Sequence, residues 1–260
     1  MRKQRKETGK NGMIAVAVIP ARYSSTRFPG KPLAQIAGRP MIQHVYERAS
    51  AAQLVDRVLV ATDDERIAAA VSEFGGQAVM TSPAHTTGTD RIAEAITGVD
   101  ADLIVNVQGD EPLLPSAVVD KLIEQMLRKK APMGTVAVPF STVDRDPADP
   151  NLVKVVVGAN DTALYFSRAP IPYCRQGGVA VEPLLHWGIY AYTRTCLQRF
   201  VQLPRGRLEQ CEMLEQLRFL ENGGSMLVVR AEQAGVGVDT PEDAVRVERL
   251  VAREAGAKDH

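Results

Sequence analysis

Arg22, Arg27 and Lys31 share one short loop within Ile19–Pro32, directly after the apolar run Met13–Ile19. Pro20, Pro29, Gly30 and Pro32 stiffen that loop. In an α/β protein the carboxyl ends of the strands are where ligands gather, so three cations there are suited to holding a polyanion. A P-loop requires glycine where this chain has Ser25, and Ser or Thr where it has Pro32. Phosphates would therefore be held by arginine forks and a lysine point charge more than by backbone amides. That arrangement suits a triphosphate whose charge shifts during reaction; the alternative is a solvated basic surface loop.

A triphosphate site needs a divalent ion, and Mg²⁺ prefers hard oxygen ligands while keeping several waters. Asp110 follows the apolar stretch Leu103–Gln108, and Gly109 would let the chain turn so that the carboxylate faces the cationic loop. Its alternative role is a turn or helix-capping acid. Asp239 precedes Thr240-Pro241 and an acid at Asp243, which together spell a helix start. Asp239 then lies just outside that helix, as a second metal ligand or as charge complementing the helix dipole. His44, His85, His186 and His260 are scattered without metal-ligand spacing or triad order, which leaves zinc and hydrolase chemistry without support.

Positioning these residues calls for alternating strands and helices. Strands are predicted at Met13–Ile19, Arg57–Thr62, Gln77–Met80 and Leu103–Gln108, with helices over Met41–Ala51, Glu65–Phe74, Thr89–Ile96 and Ser116–Arg128. Asp63-Asp64 caps the second helix, and Gly75-Gly76 ends it. From Gly134 the pattern turns β-rich. Strands are expected at Gly134–Phe140, Val153–Val157, Ala163–Ser167 and His186–Tyr192, with a turn at Asn160-Asp161. Helices at Thr195–Gln202 and Cys211–Glu221, a strand at Met226–Arg230 and a final helix from Thr240-Pro241 complete the chain. The predicted fold is α/β: a Rossmann-like three-layer arrangement with a mostly parallel central sheet and an inserted β-rich lobe. One domain over 13–256 is expected, with the lobe at roughly 134–200.

Composition narrows the partners. The chain has 260 residues, is 45% hydrophobic, and balances 31 Lys and Arg against 31 Asp and Glu. A core of that size excludes whole-chain disorder, and zero net charge argues against a general nucleic-acid or membrane-surface binder. Three cysteines, Cys174, Cys196 and Cys211, make neither an even disulfide set nor a metal pair, which points to buried or inert thiols and a cytoplasmic location. The basic stretch 1–12 resembles the start of a secretory signal, but the apolar run behind it is short and reads better as a core strand. The stretch is expected to be a disordered extension. No apolar segment is long enough to cross a bilayer.

With these motifs in place, the chain resembles the 3-deoxy-manno-octulosonate (Kdo) cytidylyltransferase, or CMP-Kdo synthetase, family from about Met13 to Val251. The resemblance rests on Ile19–Pro32, Gly88–Arg91, Val105–Pro112, Tyr165–Arg168, His186–Tyr190, Glu212–Arg218 and Val238–Asp243. It implies a nucleotidyltransferase fold and direct attack by the anomeric hydroxyl of an acidic sugar on the α-phosphate of CTP. The products are the CMP-sugar, used for lipopolysaccharide, and pyrophosphate. On the resemblance, Arg22 and Lys31 bind the triphosphate with Arg27 nearby, and Ala21, Thr26, Arg91 and Gln108 help hold the nucleotide. Asp110 and Asp239 carry Mg²⁺. Arg168, His186, Tyr190, Glu215 and Gln216 face the sugar, although from the residues alone His186 and Tyr190 read equally as strand core, and Glu215 and Gln216 as an amphipathic helix face. A homodimer built through the β-rich lobe is also implied. Trp187, Thr87 and Asp90 depart from the family pattern, which leaves the exact sugar open to an amino-substituted variant; cytidylyl transfer to sialic acid is a sibling reading, against which His186–Tyr190 and Glu212–Arg218 favour Kdo. A nucleotide-sugar glycosyltransferase is the more distant alternative, with Gly109-Asp110-Glu111-Pro112 standing where an Asp-x-Asp motif would be needed.

Overall fold

The computed structural model describes residues 12–24 and 28–256. The basic extension up to residue 11, and the loop residues Thr26 and Arg27, lie outside them. In chain order the strands are β1 (Ala15–Ala21), β2 (Gln35–Ile36), β3 (Arg39–Pro40), β4 (Arg57–Thr62), β5 (Ala78–Met80), β6 (Leu103–Asn106), β7 (Met133–Pro139), β8 (Lys154–Val157), β9 (Ala163–Ser167), β10 (Leu184–Thr193) and β11 (Met226–Arg230). The helices are α1 (Met41–Ser50), α2 (Glu65–Glu73), α3 (Gly88–Ala95), α4 (Ser116–Lys129), α5 (Arg194–Phe200), α6 (Arg207–Glu212), α7 (Gln216–Glu221) and α8 (Pro241–Gly256). Short 3-10 turns occupy Lys31–Leu33 and Phe140–Thr142.

The chain forms two compact units. The described residues up to Asp120, together with those from Gly235 onward, make the first, and Lys121–Ala234 make the second. The expected lobe at 134–200 lies inside the second unit.

In the first unit, β1 pairs in parallel with both β4 and β6, and β4 pairs in parallel with β5. Residues 15–19 of β1 and all of β6 are buried, as a parallel strand covered on both faces requires. Asp64 caps α2 by accepting the Arg66 amide at 3.0 Å, as its position before the helix predicts. A separate apolar cluster joins Ile36, Met41, Val238, Ala244 and Val247, with Phe28, Leu113, Val236 and Val251 against it. It seats the carboxyl-terminal helix α8 on the β2–α1 segment, and the Glu248 carboxylate accepts the Ala37 amide at 2.9 Å. The β2–β3 hairpin was not apparent in the sequence, because two-residue strands show no alternation and Ala37 takes the left-handed conformation at its turn (φ 49°).

In the second unit β7 pairs antiparallel with β10 and parallel with β11, while β10, β8 and β9 continue as antiparallel neighbours. The expected single helix over Cys211–Glu221 is corrected to two. α6 ends at Glu212, Met213 takes a left-handed conformation (φ 53°, ψ 46°), and α7 begins at Gln216. The apolar spacing runs across the break because Leu214 and Leu217 are both buried, which is why periodicity alone suggested one element. The break is locked by a buried pair, in which Arg218 on α7 donates to both Glu209 carboxylate oxygens on α6, at 2.7 and 2.5 Å.

The result is a mixed α/β fold with a mostly parallel sheet, as the sequence led us to expect. All three cysteines are free thiols, Cys196 buried and Cys174 and Cys211 exposed. Among the described residues no helix is long and apolar enough to cross a membrane.

Candidate active site

The carboxyl end of β1 delivers Ala21, which is buried, and then Arg22. One nitrogen of the Arg22 guanidinium, Nη2, is buried and has no hydrogen-bond partner among the described residues. Burial and the charge of Arg91 hold Arg22 below the usual arginine range, opposed by Asp63 and Asp90. A desolvated cation with an unmet donor is costly alone and is relieved by an incoming anion. Arg91, on α3, is fully buried, and donates to Thr81 Oγ1 at 2.5 Å and Asp63 Oδ2 at 2.8 Å. Its Nε is buried without a hydrogen-bond partner among the described residues. Thr87, one of the departures from the family pattern, keeps the hydroxyl that matters: its Oγ1 accepts the Asp90 amide at 3.1 Å and caps α3.

The base of the cationic loop is pinned. Tyr23 O accepts the Gly30 amide at 2.9 Å, and the Arg66 guanidinium stacks 3.3 Å from the Tyr23 ring centre. Gly30 has φ 71°, and a Cβ there would meet the Tyr23 ring at 3.2 Å, so only glycine fits. Lys31 follows immediately and turns its ammonium toward the two predicted acids.

Lys31 Nζ lies 2.7 Å from Asp110 Oδ2 and 3.6 Å from Asp239 Oδ1, and donates to Val238 O at 2.9 Å. The two acidic loops are tied at the main chain, where Asp110 O accepts the Val238 amide at 2.9 Å. Asp239 stands outside α8, as predicted: Asp243 Oδ2 accepts the Asp239 and Thr240 amides at 3.1 and 3.0 Å, and Thr240 Oγ1 accepts the Asp243 amide at 3.3 Å. The capping work is thus done by Asp243 and Thr240, and the Asp239 carboxylate lies 3.6 Å from Lys31.

Gly109 has a different reason from the one its sequence suggests. It does not have a positive φ; instead a Cβ there would sit 3.0 Å from the Pro20 carbonyl oxygen, so the β6 loop can approach β1 only without a side chain. Gly109→Ala should therefore move backbone against backbone and lower stability by about 1–3 kcal/mol, the usual cost of overpacking. Urea unfolding midpoints of the two proteins check this. Gln108, one residue earlier, is partly buried, its Nε2 donating to Asn106 Oδ1 at 3.4 Å.

The residues fit a magnesium ion on one structural ground. Two hard carboxylates from separate loops already converge on a single cationic group, the Lys31 ammonium. Among the described residues no set of three or more His, Cys, Asp and Glu could hold a metal. Two carboxylates completed by substrate phosphates and water are what Mg²⁺ commonly takes.

The second unit brings the predicted sugar-facing residues to the β9, β10 and α6–α7 segments. His186 and Tyr190 flank an irregularity in β10, where the pairing with β7 shifts between Trp187 and Tyr190. Thr135 stitches the irregularity by donating to Ile189 O at 2.8 Å, and its Oγ1 lies 3.0 Å from His186 Nε2. The His186 ring meets Phe166 edge-on at 4.9 Å and Tyr190 at 5.5 Å. Although neither residue is wholly shielded, burial pushes the His186 imidazole down to about 3, and pushes the Tyr190 phenol upward with help from Glu215.

His186 is therefore neutral in the folded protein at pH 7, while an unfolded histidine takes a proton near pH 6.5. Its contribution to stability is complete above that value and is lost as pH falls toward about 3. The slope is at most about 1.4 kcal/mol per pH unit. His186→Gln should flatten the fall in urea midpoint between pH 7.5 and 5.5.

Arg168, at the end of β9, donates through Nε to Glu212 O at 2.8 Å and through Nη1 to Pro150 O at 3.0 Å. Glu215 stands at the N-cap position of α7 without a side-chain capping bond and lies 3.6 Å from Arg218, and Gln216 is buried in the first turn. Sequence reasoning gave no site role to Thr81, Thr135 or Lys154, read Asp63 only as part of a helix cap, and took Glu212 only as part of a resemblance segment. Only Asp63 carried a usable signal, since it follows a parallel strand just as Arg22 does.

The cytidylyltransferase family profile matches residues 16–231. A 3-deoxy-manno-octulosonate cytidylyltransferase from Syntrophobacter fumaroxidans is 50% identical over 248 residues, covering 94% of this chain and 99% of the relative. Its namesake from Syntrophotalea carbinolica is 51% identical over 245 residues, covering 91% and 98%. A solved CMP:2-keto-3-deoxy-manno-octonic acid synthetase complexed with CTP superimposes with a TM-score of 0.88 at 48% identity, covering 93% of this chain and 99% of that one. By profile, by near-full-length identity and by fold, the chain belongs to the 3-deoxy-manno-octulosonate cytidylyltransferase family.

Proposed function

We propose that the chain activates Kdo with CTP. The anomeric hydroxyl oxygen of the sugar bonds to the α-phosphorus, the bond from that phosphorus to the β-phosphate oxygen breaks, and CMP-Kdo, pyrophosphate and a proton are released. The observation that carries this reading is the meeting of Lys31, Asp110 and Asp239 at one point, in a unit whose β1 loop also presents the unsatisfied Arg22.

In this reading Arg22 and Lys31 bind and orient the triphosphate, Arg27 is assigned to the same ligand, and the cations supply preorganised positive charge where the leaving pyrophosphate gains negative charge. Asp110 and Asp239 hold Mg²⁺, which when bound adds electrostatic stabilisation at the phosphate oxygens. Ala21, Thr26, Arg91 and Gln108 frame the nucleotide. Arg168, His186, Tyr190, Glu215 and Gln216 receive the sugar, the cation engaging its carboxylate and the others its hydroxyls. A neutral imidazole at His186, its Nε2–H donating to Thr135 Oγ1 whose own hydrogen goes to Ile189 O, would leave Nδ1 as an acceptor for a sugar hydroxyl.

Homodimerisation through the second unit and a cytoplasmic location belong to the same proposal. Leu164, Tyr173, Val179 and Val181 expose large apolar side chains there, which a second copy could cover. The deciding assay measures pyrophosphate release with CTP, ATP, GTP or UTP against Kdo, its 8-amino form or sialic acid, with and without Mg²⁺. Turnover only with CTP, Kdo and Mg²⁺ is expected. A preference for another sugar would reassign the acceptor, and CTP binding without turnover for any sugar would overturn the transferase reading.

A further inference from the structure

We propose that Glu212 is a positioning residue for acidic-sugar recognition, fixing Arg168 while leaving its charge unspent. This rests on the assignment of Arg168 to the sugar's carboxylate.

The geometry around Arg168 separates holding from neutralising. Glu212 Oε1 accepts from Ser167 Oγ at 2.6 Å and Oε2 accepts from the Arg168 amide at 2.9 Å, so both carboxylate oxygens are taken by uncharged donors. The guanidinium is held through the Glu212 and Pro150 main-chain carbonyls, not through a carboxylate. Two neutral acceptors fix the plane of the fork, and Nη2, which neither of them engages, is kept for an incoming anion. Had the Glu212 carboxylate taken the fork directly, the pair would have met its own charge and lost most of its attraction for a substrate carboxylate.

The other side of Arg168 is fixed by a buried charge. Lys154, fully buried, donates to Arg168 O and Leu152 O, each at 2.5 Å, and to Asp149 O at 2.9 Å. Amide and carbonyl of one residue are thus both clamped, by an acid from α6 and a base from β8. The left-handed Met213 serves this arrangement. By stopping α6 immediately after Glu212 it frees the Glu212 carbonyl, which a continuing helix would have used, to accept from Arg168 Nε.

A double-mutant cycle tests the proposal, using steady-state kinetics of the full chain with Kdo varied at saturating CTP, then CTP varied at saturating Kdo. Glu212→Ala should raise KM for Kdo by about tenfold or more while KM for CTP stays within about twofold. Glu212→Gln should recover the wild-type value within about threefold, because its amide can satisfy Ser167 and the Arg168 amide with the hydroxyl turned round. On an Arg168→Ala background, adding Glu212→Ala should change KM for Kdo by less than about twofold. Independent, multiplying effects in that cycle would reduce Glu212 to a structural residue. If Glu212→Ala folds poorly, Ser167→Ala removes the Oε1 partner, together with the bond that Ser167 Oγ accepts from the Ala169 amide at 3.0 Å, and should show a smaller effect of the same selectivity. An Arg168→Ala variant with unchanged KM for Kdo would overturn the sugar-site assignment together with this proposal, whereas a raised KM with an additive cycle would overturn this proposal alone.

Discussion

Asp110→Asn should slow pyrophosphate release from CTP and Kdo by on the order of 10²–10³-fold or more while leaving the fold intact. The asparagine keeps the shape and removes the charge that both Lys31 and the metal would use. Little stability is at risk. The Lys31–Asp110 pair is partly exposed, with side-chain exposures of 15% and 35%, and such pairs contribute about 0–1 kcal/mol. The link that joins the two acidic loops, Val238 N to Asp110 O, is main chain and survives the substitution. The melting temperature should therefore shift by no more than about 4 °C. A variant that retained most of its rate at ordinary Mg²⁺ would remove Asp110 from the metal shell.

Arg22→Met should give the opposite signs for stability and function. In the ligand-free protein Arg22 is a desolvated cation, near the like charge of Arg91, with Nη2 unsatisfied. Replacing it with an apolar side chain of similar length relieves that cost, so the melting temperature should stay level or rise. The same change removes a cation that the proposed function assigns to the triphosphate, and kcat/KM for CTP should fall by on the order of 10²–10³-fold. Differential scanning fluorimetry separates the two effects. CTP with Mg²⁺ should raise the melting temperature of the wild type far more than that of the variant. A variant with lowered stability and unchanged KM for CTP would make Arg22 a structural cation.

The first unit was largely legible because its signals are local. Short continuous apolar runs marked β1, β4 and β6, Asp64 marked the start of α2, and the rule that ligands gather at strand carboxyl ends led to Arg22 and Asp110. The meeting of Asp110 with Asp239 was expected from family resemblance rather than from spacing, since it depends on α8 docking through a cluster whose members are far apart in sequence. In the second unit the decisive features are non-local. The break at Met213 carries no glycine or proline, and the partners of Glu212 just before it, Ser167 and Arg168, lie more than forty residues away. Thr135 and Lys154 read as ordinary strand residues because their work is bonding to main-chain carbonyls, which leaves no pattern in a sequence. Gly109 shows a subtler limit: its presence was noticed, but the need for close approach to Pro20 emerged only from the backbone.

The apolar cluster that seats α8 on the β2–α1 segment has a consequence for biosynthesis. Ile36 and Met41 leave the ribosome long before Val238 and Val247, which complete their burial, and the whole of Lys121–Ala234 is made in between. At usual translation speeds that delay is on the order of ten seconds. Throughout it the nascent amino-terminal segment carries an uncovered greasy surface, which is covered only once α8 has been made.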